Sequence, residues 1–220
     1  RTVYPKNSAS LKKFNFKSLA MSEIIIRRID QEGETRWYEG KDKETEEILW
    51  QYPSVTSILD EVYPKGSYLL KYLRDNGITG QAEFEKAGDR GTEVHIAINA
   101  LLNGTSVNTL EMKPSIKKCI QAFCDWHEEY KPKTIKAEHI VANYEFSYAG
   151  TLDYLCEIDY KDFKGTFLID FKTSRSIQEV HKVQIAGYWG AIQSYYPDLK
   201  TAVLQLGNTT KKGYTFSEYD

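Results

Sequence analysis

The sequence predicts a mixed α/β domain, a central mixed sheet flanked by helices. Two observations carry that prediction. After residue 130 the apolar period changes from helical to strand-like, and three strand runs follow one another at residues 134–146, 151–159 and 166–171. A helical stretch at 176–195 then separates the third run from another strand at 201–206.

In chain order, residues 23–30 are rich in β-branched side chains and read as a strand. Residues 35–38 and 47–52 pair with it across the polar stretch 39–46. Pro53-Ser54 interrupts, and Ser54 caps a short helix through Val62. A second short helix covers 67–75 and stops near Gly77. Residues 79–102 read as a longer helix ended by Asn103-Gly104, with Val94, Ile98, Leu101 and Leu102 on one apolar side. Pro114, a good first-turn residue, opens a helix that runs to Tyr130. A last strand is expected at 214–217.

At 220 residues and 41% hydrophobic, the chain is long enough to bury one good core. Residues 1–20 stand apart, with Arg1, Lys6, Lys12, Lys13 and Lys17, no acidic residue and little periodicity. They are expected to be a disordered or leader tail with a weak organellar-targeting flavour, and Met21-Ser22-Glu23 reads as a start. Residues 21–220 then form a single domain, with strands and clamp helices over 21–78 and a core over 79–220. The net charge of −2 means that any nucleic-acid contact must come from local basic patches. Cys119, Cys124 and Cys156 are too few for a disulfide framework and lack zinc-site spacing, which suggests reduced thiols in a cytosolic protein. No apolar run approaches the roughly 20 residues of a membrane span.

The chemistry concentrates at Asp170-Phe171-Lys172, which closes the apolar run Gly165-Thr-Phe-Leu-Ile169. Alternation puts Asp170 and Lys172 on one strand face and Phe171 on the other. An ordinary cross-strand ion pair is the commoner use of such residues. Here they follow five uncharged residues where the strand should be buried, and ionised groups there need a reason. Gly150-Thr-Leu-Asp153 supplies a second carboxylate on a neighbouring strand. Oxygen ligands of this kind suit Mg²⁺ or Mn²⁺. Lys172 would orient or help deprotonate an attacking water and offset transition-state charge.

Glu138 shares a strand face with Ile140 and Ala142, so it is either an additional ligand or a solvated edge-strand glutamate. His95 shares a helix face with Gly88 and Gly91, whose presence inside a helix suggests close approach of another backbone or a ligand. Arg90 lies beside that face and is the preferred phosphate contact. Gln184 and Tyr188 are four apart on the helix after Lys172 and meet on one face. Basic residues also gather loosely at Lys117 and Lys118 and at Lys211 and Lys212, and Tyr63, Tyr68 and Tyr72 offer rings for stacking on unpaired bases. His127, His139 and His181 read as ordinary packed or surface residues.

In order, Gly91-Thr-Glu-Val-His95, Glu138, Gly150-Thr-Leu-Asp153, Ile169-Asp-Phe-Lys-Thr173 and Gln184-Ile-Ala-Gly-Tyr188 form a string. It resembles the PD-(D/E)XK nuclease superfamily in its RecB-like branch, with that branch's histidine, glutamate, G-x-x-D, D-x-K and Q-x-x-x-Y motifs. Tyr52-Pro-Ser-Val-Thr-Ser-Ile-Leu59 is similar to a segment of the mitochondrial genome maintenance exonucleases and of phage exonucleases. Gly187 stands where their Q-x-x-A-Y helix usually has alanine.

The resemblance implies a restriction-endonuclease-like core and a metal-dependent DNA exonuclease of phage or bacterial recombination or repair. Mg²⁺ or Mn²⁺ would be held by His95, Asp153, Asp170 and the Phe171 carbonyl, with Glu138 joining them. Lys172 would serve the water, and Gln184 and Tyr188 would line the site. Ser54 and Thr56 in the clamp segment, with Arg90, Thr173 and Arg175, are taken as DNA contacts. Three cysteines cannot supply the four ligands of the cluster that some branch members carry, so no iron–sulfur cluster is expected. The expected partners are single-stranded DNA or DNA ends, with a recombination protein or a helicase as further candidates and no membrane. The expected setting is the cytoplasm of a bacterial or phage-infected cell. Three other readings stay open: a structure-selective endonuclease of the same fold, a binding module without catalysis, and a hydrolase of small phosphate esters.

Overall fold

The computed structural model describes residues 23–29, 35–63 and 67–219. The expected tail and the start at Met21 lie outside these residues. So do the side chains of Tyr68 and Tyr72, expected to offer stacking rings.

The chain is mixed α/β, as its periodicity predicts. Strands β1 (Ile24–Ile29), β2 (Trp37–Asp42) and β3 (Ile48–Pro53) form an antiparallel sheet in that order. Helix α1 (Val55–Val62) follows at once, because Ser54 accepts a hydrogen bond from the Ser57 amide at 2.9 Å and so satisfies a free helix N–H. Helix α2 (Ser67–Leu102) is broken at Gly77, whose φ of 51° and ψ of −131° are open to glycine. The two helices expected on either side of that residue are therefore both present. Helix α3 (Pro114–Tyr130) carries its proline in the first turn.

The large sheet has the order β4 (Lys133–Asn143), β5 (Tyr148–Tyr160), β6 (Phe163–Lys172), β7 (Lys200–Leu206), β8 (Tyr214–Tyr219). All neighbours are antiparallel except β6 and β7, which run parallel with Lys172 opposite Gln205. A parallel pair needs a crossover, and α4 (Glu179–Ile192) provides it. The helix begins three residues later than the sequence suggests. Gln178 and His181 form a reciprocal cap there, and His181 Nδ1 accepts from the Gln178 amide at 3.2 Å.

Helices cover both faces of this sheet. On one, Val94 and Ile98 of α2 and Ile116, Phe123 and Trp126 of α3 pack on Tyr154, Phe167, Ile169, Phe171 and Leu204. On the other, Val55 of α1 and Ile185, Tyr188 and Ile192 of α4 pack on Leu152, Leu155 and Leu168. The small sheet is tied on by a bridge from Ser54 to Ala149 and by a 2.8 Å hydrogen bond between the Tyr38 and Thr151 hydroxyls. Among the described residues no helix is long and apolar enough to cross a membrane.

Candidate metal centre

Strict alternation along β4 and β5 would put Ala137 with Val141 and Leu152 with Tyr154. Instead Ala137 and Tyr154 pack in the cluster under α2 and α3, while Val141 and Leu152 pack under α4. The change of face falls at Glu138 and Asp153, which the flanking pairs place opposite one another. Glu138 has a φ of 45°, in the left-handed region that a glutamate rarely occupies. This inversion turns both carboxylates toward α2. Glu138 therefore does not share a simple face with Ile140 and Ala142, as the alternation suggested.

His95, on α2, completes the group. One candidate ligand atom each from His95, Glu138 and Asp153 lies within 4.8 Å of the others. His95 Nδ1 stands 3.4 Å from Asp153 Oδ1 and 3.8 Å from Glu138 Oε1. Its Nε2 stands 3.1 Å from the Phe171 carbonyl oxygen. Nε2–H donates to that carbonyl, so Nδ1 is the nitrogen that faces the carboxylates, and only the neutral ring would offer its lone pair there. The Phe171 carbonyl, expected as a direct ligand, meets the imidazole at this distance. Asp153 is itself fixed, since its Oδ2 accepts from the Phe171 amide at 2.7 Å.

Asp170 and Lys172 share a face at the end of β6, and Phe171 points into the opposite core, as alternation requires. Asp170 is 2% exposed. The Lys172 ammonium lies 2.6 Å from its Oδ2 but off the hydrogen-bonding direction. Among the described residues neither Asp170 oxygen has a hydrogen-bond partner. Burial raises the Asp170 carboxyl to about 6, against the opposing pull of Lys172. Burial also acts to lower Lys172, but Asp170 and Asp153 outweigh it and hold the ammonium charged. His95 follows the same logic: burial opposes its charge, yet Asp153 and Glu138 push it up to about 10.

Lys172 donates to Gln184 Oε1 at 3.2 Å, and Gln184 Nε2 donates to the Tyr188 hydroxyl at 3.1 Å. The face of α4 expected from the four-residue spacing is therefore joined to β6. Close packing holds it there. A Cβ on Gly150 would lie 2.5 Å from the Tyr188 ring, and one on Gly187 would lie 2.9 Å from Val55. Those contacts explain both glycines.

Other candidates sit differently. Ser54 is 2% exposed and spent on the α1 cap, with Thr56 bonded to its hydroxyl, so Ser54 is not a surface contact for DNA. Arg90 donates to the Thr173 carbonyl at 3.1 Å and pins the end of β6. A Cβ on Gly91 would meet Thr173 at an ordinary 3.6 Å, while Gly88 faces open space. Arg175 is exposed just beyond. Sequence reasoning passed over Tyr148, whose hydroxyl donates to the Gly187 carbonyl at 2.8 Å. It also missed the ring cluster of Trp50, Tyr52 and Tyr144. The alternation of Trp50 and Tyr52 on β3 was the available signal for two of those rings.

The donor set fits a hard divalent cation. Two carboxylates, Glu138 and Asp153, meet at His95, and the buried Asp170 carboxylate, close enough to feel the charges of Asp153 and His95, is the third, against the single ammonium of Lys172. The chain matches no protein-family model and no curated protein.

Proposed function

We propose that this chain is a Mg²⁺- or Mn²⁺-dependent deoxyribonuclease of the PD-(D/E)XK kind, acting as an exonuclease on single-stranded DNA or DNA ends. The observation that carries the reading is the convergence of His95, Glu138 and Asp153 beside a buried Asp170–Lys172 pair whose carboxylate oxygens lack hydrogen bonds. That geometry combines with the motif order in the sequence, and with a five-stranded mixed sheet like the one the family resemblance implies.

In the hydrolysis, the oxygen of water attacks phosphorus while the bond from phosphorus to the leaving sugar oxygen breaks. The water proton passes to solvent or a phosphate oxygen, and the leaving oxygen takes up a proton. His95, Glu138 and Asp153, with Asp170 beside them, would hold a divalent ion, which would supply Lewis acidity. Lys172 remains an ammonium, so its work is to orient water and steady the growing phosphate charge. Gln184 and Tyr188 fix the lysine. Phe171 positions His95 through its carbonyl and Asp153 through its amide.

The deciding experiment follows end-labelled linear single- and double-stranded DNA over time with Mg²⁺, Mn²⁺ or chelator. Asp170→Asn and Lys172→Ala are expected to abolish metal-dependent cleavage. Cleavage by both variants at the wild-type rate would place the chemistry elsewhere. Covalently closed single-stranded circles should survive, whereas an endonuclease would linearise them.

A further inference from the structure

Away from the carboxylates, α3 and the turn between β7 and β8 enclose a cleft of about 690 Å³. Its lining includes four lysines, Lys117, Lys118, Lys211 and Lys212, against the single carboxylate of Asp125. That concentration stands out in a chain whose net charge is −2. Lys212 is neutralised by Glu129, with which it pairs at 2.5 Å. Among the described residues no ion pair neutralises Lys117 or Lys118 in this way. Their ammonium groups donate to the carbonyls of Leu110 and Asn208, at 2.9 and 2.7 Å, which fixes them in place without cancelling their charge. Asp125 instead accepts from Gln121 at 2.8 Å.

Topology sets this cleft beside the candidate site. β6 and β7 are parallel, so the end of β7 emerges at the same sheet edge as Lys172. In open α/β sheets that edge is where ligands gather. A chain of contacts connects the two places. Gln205 Nε2 donates to the Ser174 carbonyl at 2.8 Å, Asn208 Nδ2 reaches Gln205 Oε1 at 3.4 Å, and Lys118 holds the Asn208 carbonyl. Asn208 lies three residues beyond Gln205, the register partner of Lys172, and three residues of extended chain span roughly 10 Å, so the cleft opens close to the end of β6.

We propose that this cleft carries the sugar–phosphate backbone of the DNA strand that leaves the metal centre, with Lys117, Lys118 and Lys211 as its phosphate contacts. The proposal rests on the nuclease reading and adds a path for the substrate. Uncompensated ammonium groups beside hydroxyl-bearing Thr210 recognise a polyanion without regard to sequence.

The test is equilibrium binding of a labelled oligothymidylate of about 20 nucleotides, enough to span such a groove, in chelator so that nothing is cut. Fluorescence anisotropy is read at salt concentrations from about 50 to about 200 mM. In Lys117→Gln/Lys211→Gln, the slope of log affinity against log salt should flatten by about 1.4, roughly 0.7 for each phosphate that the variant no longer neutralises. Lys133→Gln/Lys161→Gln removes the same charge at the far end of the sheet and should leave the slope unchanged. Thermal melting of each variant establishes that it is folded. A wild-type slope in the cleft variant, or an equal drop in both pairs, overturns the proposal. Because binding is measured without metal, a flattened slope with no cleavage by wild type would instead count against the nuclease reading alone.

Discussion

His95 meets Phe171 edge-on, with Nε2 3.1 Å from the Phe171 carbonyl oxygen and ring centroids 5.9 Å apart. The contact fixes which nitrogen faces the carboxylates. If Nδ1 is the metal-binding atom, His95→Ala should weaken Mn²⁺ binding by about 100-fold or more, at or above the range known for groups that only orient a ligand. Isothermal titration of Mn²⁺ into wild type and variant measures this directly. Equal affinities would remove His95 from the donor set.

Gly150 and Tyr188 meet where β5 packs on α4, with no room for a Cβ between them. Gly150→Ala places a methyl where the Tyr188 ring lies and should destabilise the fold by about 1–3 kcal/mol, the usual cost of overpacking. Because Tyr188 holds Gln184 and Gln184 holds Lys172, turnover should fall as well. Tyr188→Leu in the same chain should recover part of the stability but not the turnover. Urea denaturation of the four corners of that cycle gives the coupling. Additive losses would show that the two residues do not share the strain.

Most elements and much of the candidate site were legible because they rest on local rules. Alternation along β6 separated Asp170 and Lys172 from Phe171, helical spacing joined Gln184 to Tyr188, and Ser54 and Pro114 marked helix starts. The rest depended on partners distant in sequence. Ser54 was legible as a cap, but its burial was not, because that depends on its neighbours Arg36 and Ala149. The contact of the Phe171 carbonyl with an imidazole was hidden, because nothing in the chain announces that a helix far earlier in the sequence will bring one to it. The face inversion at Glu138 was hidden because a single φ of 45° undoes the parity on which strand reading relies.

His181 looked like an ordinary histidine and is a cap. Burial lowers its pKa, and the nearby Lys172 charge adds to this, bringing it to about 4. The unfolded chain takes up a proton near 6.5 and the folded chain resists until about 4, so this contribution is intact above 6.5 and is lost as pH falls toward 4. His181→Gln keeps a side chain suited to the reciprocal cap and removes the titration. Its stability, measured by urea denaturation at successive pH values, should fall less than that of wild type over that window. Parallel curves would show that the cap does not depend on a neutral imidazole.

Glu129, at the end of α3, accepts from Lys212, Tyr214 and Tyr160, and those bonds hold its carboxyl down at about 2. Its stabilising effect is therefore present above 4.5 and is lost between 4.5 and about 2. Glu129→Gln should reduce stability at neutral pH and flatten the acid limb below 4.5, leaving the limb from 6.5 to 4.5 as in wild type. A full acid limb in the variant would assign it to other carboxylates.

Glu138 sets a candidate metal-binding carboxylate against the backbone that carries it. A left-handed conformation costs a residue with a Cβ about 1 kcal/mol or more, and glycine escapes that cost. Glu138→Gly should therefore raise resistance to urea while metal-dependent cleavage falls. Removing one of several crowded carboxylates would also relieve repulsion, so the comparison needs Glu138→Gln, which loses the charge but keeps the Cβ. The part of the gain that belongs to the backbone is the excess of Gly over Gln, expected at about 1 kcal/mol. If Gln stabilises as much as Gly, the relief is electrostatic and the backbone at Glu138 stores no strain. If neither variant gains stability, the inverted strand is a relaxed part of the fold, and its shape is explained by packing of Ala137 and Val141 on opposite faces.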